Sequence, residues 1–168
     1  MMTNWLRAAV AVAVVTAAAL VVLVVPASAG VTNVSGIGLY DTGCVPPAGA
    51  GGAGAIPSDT GYYAPLALTG SLIGCWYTYV TYSKSNPSGT YQERGTELFV
   101  GCLNGTCGTF NTTYTFTGKF TSAGAEIHGR CQHAVVSGHG GFTGVSGVVT
   151  FKDDVVAQEF PYRGNIKL

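Results

Sequence analysis

Apolar and polar side chains alternate along most of the chain after residue 61, and the alternation is cleanest at 109–120. There Phe110, Thr112, Tyr114, Phe116, Gly118 and Phe120 interleave with Thr109, Asn111, Thr113, Thr115, Thr117 and Lys119. A period of two puts the rings on one face and the hydroxyls on the other, as in a strand with one buried and one wet side. The same reasoning predicts strands at 64–69, 71–83, 90–101 and 126–136, and two more in 145–168 around an acidic turn at Asp153 and Asp154. At 90–101 Tyr91, Glu93, Gly95, Glu97 and Phe99 share a face; at 71–83 both faces are partly apolar. In the last strand Phe160, Tyr162, Gly164, Ile166 and Leu168 fall together. Turn signals separate the runs: Asn86-Pro87-Ser88-Gly89, Asn104-Gly105 and Thr121-Ser122-Ala123-Gly124. No segment beyond the N-terminal run keeps a 3.6-residue apolar period. The prediction is an all-β domain at 62–168, a single antiparallel closed β-barrel of about eight strands.

Two stretches before residue 62 lack this pattern. The run 8–25 is apolar and uncharged, follows Arg7 and ends in Pro26-Ala27-Ser28-Ala29. It reads as a signal peptide over 1–29, cleaved after Ala29, which makes the protein secreted and leaves no membrane segment. An uncleaved anchor is the alternative, because the run is near the lower limit of the ~17–25 residues a span needs. The stretch 30–61 is rich in Gly, Ala and Pro and buries too little apolar surface to offset the entropy of ordering it. It is expected to be flexible, with at most a short strand at 37–40. Losing Arg7 leaves seven basic against eight acidic side chains, so no basic field invites nucleic acid.

Five cysteines follow the cleavage site. In Cys102-Leu103-Asn104-Gly105-Thr106-Cys107 a two-residue Asn-Gly turn sets Leu103 opposite Thr106, and Cys102 opposite Cys107 in the close, non-hydrogen-bonded pair. A disulfide is expected there. Cys75 and Cys131, both in predicted strands, form the natural second pair, with a bond from Cys44 to either one as a competitor.

The C-terminal third carries a further signal. Residues 135–147 read Val-Val-Ser-Gly-His-Gly-Gly-Phe-Thr-Gly-Val-Ser-Gly, and Phe-Pro-Tyr-Arg-Gly follows at 160–164. This combination resembles the C-terminal half of the allene oxide cyclase and dirigent barrel superfamily, above all its secreted bacterial members with an allene-oxide-cyclase-like barrel, over about 66–168. The resemblance implies an eight-stranded antiparallel barrel with an apolar lumen, cofactor-free cyclisation or steering of small hydrophobic molecules, and frequent homo-oligomers. The glutamate and asparagine that serve the plant cyclases on their first strand have no counterpart at 65–70.

Candidate chemistry centres on the polar strand 126–136. Regular alternation gives Glu126, His128, Arg130 and Gln132 one face and Ile127, Gly129, Cys131 and His133 the other. If the charged face looks inward, His128 serves as acid or base, tuned by Glu126 or Glu97, and Arg130 stabilises an oxyanion. If it looks outward, it is a surface ion pair. Tyr77, Tyr79, Phe99, Tyr114, Phe116 and Tyr162 are numerous enough to line a ligand pocket or simply to fill a core. His128 and His133 point to opposite faces, so no metal site is expected, and no cofactor motif is present. The leading expectation is a barrel that binds a small apolar molecule, with cofactor-free cyclase or isomerase activity as its catalytic form. The competing expectation is a structural or protein-interaction module with a filled interior.

Overall fold

The computed structural model describes residues 30–51 and 62–168; the expected signal peptide at 1–29 and the glycine-rich 52–61 lie outside the described residues. Among the described residues the chain forms β1 (Val31–Tyr40), β2 (Leu66–Gly70), β3 (Leu72–Ser85), β4 (Thr90–Leu103), β5 (Thr106–Phe120), β6 (Glu126–Gly140), β7 (Ser146–Lys152) and β8 (Phe160–Lys167), with no helix. Each pairs antiparallel with the next, and β8 pairs with β1, so the sheet closes into an eight-stranded barrel.

The alternation read from the sequence becomes inside and outside. Phe110, Tyr114 and Phe151 look inward with Leu72, Trp76, Phe99 and Ile166, and the threonines of β5, except buried Thr112, face out. One end of the barrel is solid. Trp76, Phe99 and Phe110 interlock there at ring separations of 4.7 to 5.9 Å. The glycine-rich corner between β6 and β7 folds Phe142 back against Phe110 at 5.3 Å, fully buried, as a plug.

One expectation about the first half of the chain is corrected. Residues 30–61 were expected to be flexible, yet β1 closes the barrel, pairing with β8 over Val31–Gly38 and with β2 over Gly36–Tyr40. Its apolar content is low because the seam is tight: a Cβ on Gly36 would collide with the Thr69 carbonyl and the Tyr162 ring. Backbone pairing on both edges, rather than side-chain burial, holds it in place. Residues 41–51 then cross the outer wall, where Ala50 is buried with Cys75, Tyr77 and Val100 in a second, smaller core.

That outer core also settles the cysteines. Cys102 bonds Cys107 across the Asn-Gly hairpin, while Cys75 bonds Cys44 and not Cys131. Cys75 faces outward and Cys131 inward, so the barrel wall separates them. Cys131 is a buried free thiol.

Candidate functional site

The other end of the barrel is open. A cavity of about 740 Å3 runs inward from the turns β3–β4 and β5–β6 to the level of Glu97 and His133. Inward positions of successive strands build its walls: Tyr40 from β1, Leu66 from β2, Glu93 and Glu97 from β4, Tyr114 and Phe116 from β5, Cys131 and His133 from β6, Phe151 from β7 and Phe160 from β8.

Deepest is a carboxylate–imidazole pair. Glu97 is 3% exposed and accepts hydrogen bonds from Thr112 Oγ1 at 2.7 Å and Thr78 Oγ1 at 3.2 Å. Its Oε2 also bonds His133 Nδ1. In the tautomer whose Nδ1–H donates to a carboxylate, Nε2 is the acceptor position. Nε2 is buried and has no partner among the described residues. The ring is gripped by Tyr114, stacked at 5.9 Å, and by the edges of Trp76 and Phe151 at 5.4 and 4.8 Å.

Midway lies a buried Glu93 wrapped in phenols. Tyr91 and Tyr114 donate to it at 2.6 Å and Tyr63 at 2.7 Å. Burial first, then the bonds to Glu93, push the Tyr63 and Tyr114 hydroxyls far above the usual phenol range, so they remain donors. Cys131, close by, is likewise pushed up by burial and by the negative field of Glu97, Asp153 and Glu93, and stays a thiol at neutral pH.

At the mouth the carboxyls of Asp153 and Glu126 converge over Gly129. Burial, then the neighbouring Glu126 carboxyl, raise the Asp153 carboxyl to about 7. Glu126 Oε1 is buried without a partner. Gly129 sits beneath the pair, where a Cβ would strike both carboxyls. Tyr40 nearby is pushed up to about 12 by burial and by Asp153, Glu93 and Glu126. Among the described residues no group of three His, Cys, Asp or Glu side chains could hold a metal ion.

Of the residues singled out from the sequence, Glu97, Tyr114 and Phe116 border the cavity. Phe99 and Tyr162 lie inside the barrel but in packed core. Tyr162 is a peg, its hydroxyl donating to the Thr69 carbonyl at 2.9 Å and accepting from the Leu72 amide at 2.8 Å. Tyr77 and Tyr79 face the outer core rather than the lumen. His128 and Arg130 are exposed on the outer wall, and the face that enters the lumen carries Gly129, Cys131 and His133. Glu126 should have gone outward with them, but a register shift between Lys119 and Phe120 turns it to the mouth. The chain matches no family model, no curated protein and no solved structure.

Glu126 was expected only as a partner of His128, and His133, Glu93, Asp153, Tyr63 and Tyr91 were not expected at the site. For Glu93 a signal existed, since it alternates in step with Glu97 and Phe99. For His133 it did not, because which face of a doubly polar strand turns inward depends on its neighbours.

Proposed function

We propose that this is an exported barrel that binds a small hydrophobic molecule and, without a cofactor, moves a proton within it, as an isomerase or cyclase does. The observation that carries this reading is the open-ended cavity of about 740 Å3 with a Glu97–His133 pair at its depth. Pockets of ~300–1,000 Å3 with apolar walls and a few converging polar groups are the usual form of small-molecule sites. Two disulfides and the apolar run at 8–25 support export. The motifs that resemble the allene oxide cyclase and dirigent barrels support the same substrate class.

In this mechanism His133 Nε2 removes a proton from a carbon activated by a neighbouring carbonyl or conjugated system. Glu97 stabilises the imidazolium that results, and the two threonines hold Glu97 in place. The electron pair left behind shifts along the conjugated system, and His133 returns the proton at a second atom, so nothing else is consumed.

Mass spectrometry of solvent extracts of the purified protein, together with titration of an apolar fluorescent dye, tests the binding step. Protein that is always empty and leaves the dye unbound sinks the proposal. Once a substrate is in hand, Glu97→Gln and His133→Asn should each lower kcat by about 10²–10⁴ with binding retained, while Arg130→Ala on the outer wall leaves it unchanged.

A further inference from the structure

The charges that border the cavity are one-sided. Glu93, Glu97, Glu126 and Asp153 all reach it, and among the described residues no lysine or arginine lines it. A ligand with a carboxylate or phosphate would meet four carboxyl groups and no fixed cation, an arrangement that repels anions in a low-dielectric site.

Two of the four acids are already satisfied. Glu93 holds three phenol hydrogen bonds, and Glu97 holds two threonines and His133. Glu126 and Asp153 face each other across Gly129, and among the described residues Glu126 Oε1 has no hydrogen-bond donor. Arg130 and Lys152, the nearest cations in sequence, are exposed, and Lys119 at the rim gives its ammonium to the Ser88 carbonyl. Among the described residues the only ion pair is the one between His133 and Glu97. Gly129 lets the two carboxyls converge where any side chain would hold them apart. Around them the cavity wall carries Tyr40, Phe116 and Phe160, whose ring faces attract cations. A second unmet group lies deeper, the buried Nε2 of His133. It is four residues along β6 from Gly129, about 13 Å at the rise of an extended strand.

We infer that the cavity selects hydrophobic molecules bearing a protonated amine, with Glu126 and Asp153 holding the ammonium group at the mouth. The rest of the molecule extends along the aromatic wall towards His133. This inference rests on the reading of the cavity as a binding site. The ammonium takes the place of the proton that the carboxyl pair holds, so binding releases that proton and strengthens as the pair ionises. Facing the pair are Tyr40 from β1, Glu93 from β4, and Cys131 and His133 from β6. Tyr40 and Cys131, both pushed up, stay neutral between pH 6 and 8.

The test uses three probes of one chain length, decylamine, decanol and decanoate, below their micelle concentrations, by calorimetry and by displacement of an apolar dye from the unaltered protein. At pH 8 and low salt decylamine should bind at least tenfold more tightly than decanol, with decanoate weakest. Its affinity should rise several-fold from pH 6 to 8 while that of decanol stays level. In Glu126→Gln/Asp153→Asn the amine preference should shrink to under twofold, and its pH dependence should vanish, with decanol unaffected. If the double variant does not fold, the pH series on the unaltered protein decides alone. Decanoate or decanol binding as tightly as decylamine overturns the inference and leaves the cavity reading standing. If none of the three binds, both fall together.

Discussion

Asp153 is the residue whose environment makes the clearest demand on the folded state. Its carboxyl rises from 3.8 to about 7 on folding, through burial and through Glu126. The folded protein therefore binds that proton more tightly than the unfolded chain does. Below about pH 4 both states are protonated and nothing is lost; between about 4 and 7 stability falls as pH rises, and above that it levels. Asp153→Asn removes the loss. Its stability relative to the parent should grow across that interval, by about 1–3 kcal/mol after allowance for solvent at the mouth, in urea unfolding at pH 4.5 and pH 8. A flat difference would mean that the carboxyl is solvated. At this scale the sequence was legible where alternation was strict. Glu97 with Phe99, and Tyr114 with Phe116, point inward as their parity requires. Cys131 and His133 were not, because β6 has polar groups on both faces and only its pairing with β5 and β7 decides which side is inside.

At the scale of the element, β3 to β8 follow the predicted runs closely, since each has rings or β-branched residues in alternation and a turn signal at its end. β1 is the exception, and the reason is physical. A strand held by two neighbours needs few large side chains, and this one buries Val34 and carries glycines where the seam is tight. Gly36→Val should cost about 3 kcal/mol or more, with loss of amide protection across β1 and β8. Gly38→Ala is the control. Its added methyl meets the flexible tip of the Leu68 side chain at 3.0 Å instead of backbone, and should cost about 1 kcal/mol or less. Equal effects would show that the seam is looser than it looks.

For the whole molecule, the two disulfides serve different reaches of chain. Cys44–Cys75 spans 31 residues and ties the crossing segment to the outer wall, whereas Cys102–Cys107 spans 5 within a hairpin. Chain-entropy arguments give about 3–4 kcal/mol for the first and about 2 kcal/mol for the second. Cys44→Ser/Cys75→Ser should therefore lower the melting temperature more than Cys102→Ser/Cys107→Ser, as calorimetry would show. The reverse order would place the weight on the hairpin. Parity explains why the longer bond was misassigned: a tally of cysteines in strands carries no information about which side of a wall each one occupies. The closing seam has one more effect. Tyr40 and Phe160, from opposite ends of the described barrel sequence, meet edge to face at 4.8 Å, and both border the cavity. A guest resting on the two rings acts as a rivet between the first strand and the last, so the filled barrel parts less readily than the vacant one.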